Sequence, residues 1–311
     1  MNATDTKECL IFRQIRIEDK ENYDKHLAIE GERGCEFSFA NLFLWGRQAL
    51  CECDEALILF SQFDRRTVYP YPLAARNRRS AIDKIIADAH GRGIACRISG
   101  LTADACEELE NLYPERFRFH CDEGSFDYVY LVDELADLAG KRFDGKRNHI
   151  RRFKDAYPDF KVNPITPNDA NKITEFLDGW YERRLADDPK LDFHMERAAL
   201  SRALSHLDEL ELYGIMLTSG EEILAFTLAS RLSDDTLDVH FEKARGEIQG
   251  AYAAINREFA AYVRENMPNI KYLNREEDMG LEGLRRAKRS YHPHHMVEKC
   301  WACLLEDGYD Y

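Results

Sequence analysis

The chain reads as a mixed α/β protein built from two comparable halves, and three observations carry that reading. Its 311 residues exceed what one compact core usually takes, so two domains, or one duplicated one, are expected. Short alternating apolar runs of strand length are interspersed with longer runs at helical spacing. From about residue 165 the order reads α-α-β-β-β-α-β-α-β, with three strands in quick succession forming an antiparallel meander.

In the first half, residues 12–17 and 57–60 read as strands, and 37–45 (FSFANLFLW) is densely apolar. Phe37, Phe39, Leu42, Phe43 and Trp45 belong in a core, and Glu36, Ser38 and Asn41 are the polar members that stand out. Residues 80–90 place Ile82, Ile85, Ile86 and Ala89 at helical spacing and stop at Gly91. A strand at 94–98, a helix capped by Thr102 and a strand at 126–132 follow. Pro164 and Pro167 punctuate 161–166, so a boundary is expected that leaves domains at 1–160 and 161–311.

The second half opens on Thr166 with Pro167 at the first helical position, after which Ile173, Phe176, Leu177, Trp180 and Tyr181 form one face. A second helix carries Leu200, Leu204 and Leu207. The meander takes 212–218, 223–231 and 237–242, broken at Ser219-Gly220 and Asp234-Asp235. Gly250 opens a helix with Tyr252, Ile255, Phe259 and Tyr262 on one side, and a strand at 270–274, a short helix at 284–289 and a last strand at 296–304 complete the order.

A net charge of -14 argues against a general binder of nucleic acid or membrane surfaces. The run 141–154, KRFDGKRNHIRRFK, departs from it: Lys146, Arg147, Arg151 and Arg152 stand among seven basic residues against the single acid Asp144. Such a helix either docks on the acidic remainder or contacts a polyanion. Nine cysteines without framework spacing, and no leader read at the start, fit a reducing cytoplasm. Cys51-Glu52-Cys53 and Cys300-Trp301-Ala302-Cys303 do not make a paired zinc pattern, so no metal is expected. No apolar run has the length of a membrane span.

The densest chemistry lies at 274–293, NREEDMGLEGLRRAKRSYHP. Asn274, Arg275, Glu276, Glu277 and Asp278 crowd at a strand's carboxyl end, where open α/β sheets bind ligands, and adjacent carboxylates raise one another's pKa. Gly280 and Gly283 lead into a basic helical turn suited to phosphate or carboxylate.

The order from 165 to 305 resembles the core of the GNAT acyltransferase fold, whose loop before the central helix holds the pyrophosphate of acyl-CoA; here that loop is 245–251. Over nearly the whole chain, GCEFSFANLFLWG, KRNHIRRFK and NREEDMGLEGLRRAKRSYHP resemble the bacterial family grouped with the phosphatidylglycerol lysyltransferase C-terminal domain (DUF2156). That group is similar to the Fem-type aminoacyltransferases, so the resemblance implies two tandem GNAT-like domains. It also implies transfer of an aminoacyl or acyl group, from aminoacyl-tRNA or acyl-CoA, to a small-molecule or peptide amine.

Such a transfer needs a base, oxyanion donors and an acid for the leaving group. On the strand 237–242, alternation sets Asp238, His240 and Glu242 on one face, expected to line the acceptor cleft with Asn274, Arg275, Glu277 and Asp278. Glu242 and Glu276 are the candidate bases, and Tyr291 or Tyr252 the candidate acid. Gln249, Gly250 and Ala251 would offer backbone donors, with Arg285 and Lys288 as counter-charges for the donor's phosphate. A tRNA backbone would be met at 141–154. Two other readings use the same cleft: an acyl-CoA-dependent N-acetyltransferase, and a non-catalytic module that binds a small molecule or peptide.

Overall fold

The computed structural model describes residues 10–63 and 66–308. The chain opens with β1 (Arg13–Gln14), α1 (Lys20–Leu27), α2 (Phe39–Trp45), β2 (Gln48–Cys53), β3 (Ala56–Phe63) and β4 (Arg66–Pro70). It continues through α3 (Arg78–Arg92), β5 (Arg97–Leu101), α4 (Ala103–Leu112), β6 (Phe117–Cys121), β7 (Asp127–Leu131) and α5 (Val132–Asp137). Next come α6 (Asp144–Ala156), β8 (Lys161–Pro164), α7 (Ala170–Asp187), α8 (His194–Ser205), β9 (Tyr213–Ser219), β10 (Glu222–Arg231) and β11 (Thr236–Ala244). Then α9 (Ala251–Asn266), β12 (Tyr272–Asn274), α10 (Glu282–Arg289), β13 (His295–Val297) and β14 (Cys300–Leu304) close the order.

Two compact units emerge, interleaved along the sequence. The first takes its described residues from 10–127, 277–281 and 297–308, the second from 128–276 and 282–296. A single cut at 160 differs from this grouping, because α5 and α6 fall in the second unit and β14 in the first.

In the first unit the sheet order is β1-β2-β3-β4-β5-β14-β6. β4 and β5 run parallel, and β14 is antiparallel to both β5 and β6. The expected last strand at 296–304 is therefore two strands, split at Glu298-Lys299, and its second part belongs to the first sheet. The charged pair Glu298-Lys299 marks the break, but it is too short an interruption for the pattern to assign the two strands to different sheets. The β6–β14 register sets Cys121 opposite Cys300, and a disulfide joins them with Cα atoms 4.2 Å apart. This corrects the expectation of wholly reduced cysteines. The pair is 179 residues apart in sequence, so only the strand register reveals it.

The second unit's sheet has the order β13-β7-β12-β11-β10-β9-β8. The meander β9-β10-β11 is antiparallel as expected, and β12 runs parallel to β11. Ile255, Phe259 and Val263 of α9 join Leu237, Val239 and Leu273 of the sheet, Leu135 of α5, and Ile150 and Phe153 of α6 in one buried core. Phe176 of α7 packs edge-on against Phe226 of β10.

Gly250 caps α9 at φ 88°, a left-handed conformation that favours glycine. A Cβ there would fall on the backbone carbonyl oxygen of His149 in α6. The helix carrying the basic run thus lies directly against the start of α9. Gly250→Ala is expected to destabilise the protein by about 2–3 kcal/mol through overpacking and backbone strain, as a urea denaturation midpoint would register.

Candidate functional site

A β-bulge decides which side chains meet on β11. Phe241 and Val239 pair with the consecutive residues Leu228 and Ala229, so His240 is the extra residue and the alternation shifts there. Glu242 consequently joins the face toward α9, where its Oε2 accepts from Asn256 Nδ2 at 3.3 Å. Lys243 turns the other way to Glu196 of α8, 2.8 Å from Nζ. The expectation that Asp238, His240 and Glu242 line one cleft is corrected: strict alternation assumes an unbroken ladder, and the ladder breaks at His240.

On the α9 side four elements converge. Arg275, just past β12, donates from Nη2 to Glu242 Oε1 at 2.8 Å. Its guanidinium stands 5.6 Å from the ring centre of Tyr130 and 5.0 Å from that of Tyr291. Lys146 of α6 places Nζ 3.7 Å over the Tyr291 ring and 2.6 Å from Ser290 Oγ. Arg275 Nη1 and Asn256 Oδ1 are buried and, among the described residues, have no hydrogen-bond partner. A buried unpaired donor is costly, which makes Arg275 Nη1 the atom best placed to receive a ligand oxygen.

Electrostatics differentiate these groups. Burial, followed by repulsion from Arg275, pushes the Lys146 amine down to about 8. Burial pushes the Tyr291 phenol up to about 12, so it keeps its proton at neutral pH. Burial works most strongly against the Arg275 charge, but Glu242, Tyr130 and Tyr291 together outweigh it and hold the guanidinium ionised. The cluster combines a fixed cation, a protonated phenol and an amine that titrates near physiological pH.

The remaining expected site residues distribute elsewhere. Asp238, His240 and Glu276 form a second buried group, where Ser230 Oγ lies 2.8 Å from His240 Nε2. Asn274 is fully buried, and its Oδ1 accepts from the Glu276 backbone N–H at 2.8 Å. Glu277 and Asp278 belong to the first unit. There Lys299 Nζ is buried 2.7 Å from Asp127, 2.9 Å from Glu277 and 3.0 Å from Glu36. Cys35 donates its backbone N–H to Asp127 at 2.7 Å, so the GCEFSF stretch contributes polar chemistry as well as core. Asp278 is buried, and its Oδ1 accepts from the Gly280 N–H at 2.8 Å.

Gln249 is exposed and Ala251 buried, on either side of Gly250. Arg285 is half-buried on α10. Lys288 is buried and donates to the carbonyls of Arg275 and Glu276, so it holds the strand end rather than projecting outward. Arg147 donates to the carbonyls of Leu138 and Gly140 and pairs with Asp144. Arg151 and Arg152 are exposed on α6. Tyr252 is 41% exposed, which sets it apart from the buried Tyr291. Sequence reasoning missed Tyr130, Asn256 and Lys299 and gave Lys146 only a polyanion role. Asn256 was the available signal, a polar residue beside Ile255 on the buried face of α9.

Lys299→Met strands three carboxylates around an apolar side chain and is expected to cost about 3–5 kcal/mol in urea unfolding. A midpoint within error of wild type would contradict that role.

The structural relatives bear on the whole chain. A conserved protein of unknown function from Bacteroides thetaiotaomicron is 35% identical, with a TM-score of 0.89 over 95% of this chain and 99% of that one. The C-terminal DUF2156 domain of an Agrobacterium fabrum protein described as a lysylphosphatidylglycerol synthetase is 12% identical, with a TM-score of 0.65 over 92% and 91%. FemX is also 12% identical, with a TM-score of 0.60 over 95% and 98%. At such identity these two share the fold, a mixed α/β architecture. An uncharacterised protein of Mycoplasmoides gallisepticum, 24% identical over 181 residues, is matched over 56% of its own length and 57% of this chain. No helix among the described residues is long and apolar enough to cross a membrane. The model of the family "Phosphatidylglycerol lysyltransferase, C-terminal" matches residues 27–303, and the chain belongs to that family.

Proposed function

We propose that the second unit transfers an aminoacyl group from aminoacyl-tRNA to an amine, with Arg275 holding the reacting carbonyl oxygen and Lys146 carrying the proton. The observation that carries this reading is the buried Arg275 Nη1, a donor without a partner, fixed in place by Glu242 and two tyrosine rings. Family membership supports an aminoacyl- or acyl-transferase.

The chemistry follows from the charges. A neutral acceptor amine attacks the ester carbonyl, and the electron pair displaced onto oxygen is met by the Arg275 N–H. Collapse breaks the ester C–O bond and releases the ribose hydroxyl. The attacking nitrogen must lose a proton and the leaving oxygen must gain one. Lys146, neutral in part at physiological pH, takes the first and returns the second. Glu242, ion-paired to Arg275, acts by orienting the guanidinium. Tyr291 stays protonated and supplies a second donor. The same helix that places Lys146 exposes Arg151 and Arg152, where the phosphates of a tRNA end would be met. Close packing of His149 on Gly250 accounts for that glycine without an acyl-CoA pyrophosphate.

Three results are expected. Lys146→Met and Arg275→Met each lower kcat/KM by about 100- to 1000-fold in an aminoacyl-transfer assay. Wild-type activity rises with pH through about 8 and then levels, because the neutral amine is the active form, and that limb disappears in Lys146→Met. Arg151→Glu with Arg152→Glu weakens aminoacyl-tRNA binding and reduces its log–log salt slope by about 2. Thermal stabilisation by CoA but not by aminoacyl-tRNA would move the donor to acyl-CoA, and turnover indifferent to both Lys146 and Arg275 would overturn the proposal.

A further inference from the structure

We propose that Asp238, His240 and Glu276 bind a divalent first-row transition-metal ion within the second unit, at a site separate from the Lys146–Arg275 cluster. The bulge in β11 makes His240 the extra residue and buries its imidazole completely. Nε2 lies 2.8 Å from Ser230 Oγ. Nδ1 has no hydrogen-bond partner among the described residues. It faces Asp238 Oδ2 at 3.4 Å and Glu276 Oε1 at 3.6 Å.

Those two separations are longer than an N–H···O hydrogen bond, about 2.7–3.2 Å. They fit a shared cation: ligands about 2.0–2.1 Å from a metal at tetrahedral angles stand about 3.4 Å apart. One ligand atom from each of the three residues lies within 4.8 Å of the other two. Two carboxylates with one neutral imidazole balance a dication, and an imidazole in the set favours transition metals over magnesium or calcium.

The surroundings hold the ligands as a metal site requires. In the tautomer with its proton on Nε2, His240 donates to Ser230 Oγ and keeps the Nδ1 lone pair for the ion, the partnership by which metal-bound histidines are oriented. Glu276 adopts a left-handed backbone at φ 57°, unusual for a non-glycine residue. Asn274 Oδ1 accepts its N–H at 2.8 Å, and Lys288 Nζ donates to its carbonyl at 3.0 Å. Three protein ligands leave room for water or a substrate oxygen on the ion.

Chelator-stripped full-length protein, titrated separately with Zn2+, Mn2+ and Mg2+ by calorimetry and assayed by elemental analysis, tests this directly. One Zn2+ or Mn2+ per chain is expected, with Mg2+ at least 100-fold weaker. Glu276 is a quarter exposed, so Glu276→Gln disturbs packing least of the three ligand changes and should lower affinity at least 100-fold. Ser230→Ala should lower it about 10-fold through the second partner of His240. Far-UV circular dichroism of the stripped variants establishes that each is folded. Absence of stoichiometric binding to the wild type, or Mn2+ affinity unchanged in folded Glu276→Gln, would overturn the site. Neither result depends on aminoacyl transfer, so the metal proposal and the proposed activity stand or fall separately.

Discussion

One buried ammonium organises the first unit. Lys299 is 5% exposed and draws together Asp127 at the start of β7, Glu36 ahead of α2, and Glu277 from the short segment 277–281. Burial alone would drive its proton off, yet Asp127, Cys35, Glu36 and Glu277 hold its pKa well above the ordinary lysine value. The reciprocal strain falls on Glu277, whose carboxyl burial raises while Lys299 opposes the rise. An ionic centre of this kind contributes less net energy than its short distances suggest, because desolvation offsets much of the attraction. It ties segments far apart in sequence to one point, because carboxylates of Glu36, Asp127 and Glu277 share one cation. Even the backbone around it is constrained: a Cβ at Gly34 would fall on Glu36 and Lys299.

In the second unit the comparable constraint is the bulge at His240. Without it, Glu242 would face away from α9 and could not reach both Arg275 and Asn256. With it, Glu242 and Asp238 serve different clusters on one strand, and the consecutive residues Arg275 and Glu276 divide in the same way. One irregular residue therefore generates two polar centres where a regular strand would have made one.

Much of this fold was legible because it rests on local periodicity. The meander, the α9 helix and the strand at Asp127–Leu131 follow from alternation, turn residues and helical spacing. What escaped depends on long-range geometry. A bulge leaves no mark in an alternating run, the Cys121–Cys300 pair needs the register of two distant strands, and the charged pair Glu298-Lys299 does not by itself say that the strands on its two sides join different sheets. For the candidate site, residue types were readable and groupings were not. The dense charges at 275–278 stand out in the sequence, but the structure distributes them among separate clusters rather than one cleft. Lys146 looked like one basic residue among seven, because only packing on Tyr291 distinguishes it from its exposed neighbours.

The placement of β14 between β5 and β6 has a consequence for how the chain is made. A ribosome releases residues in order, and the strand that joins β5 to β6 appears only after all the strands of the other sheet. The first unit therefore leaves the exit tunnel with its sheet incomplete, while every strand of the second unit has emerged before β14. The order of synthesis and the order of completion therefore differ: the second sheet has all its strands while the first still has open edges at β5 and β6 that only β14 covers.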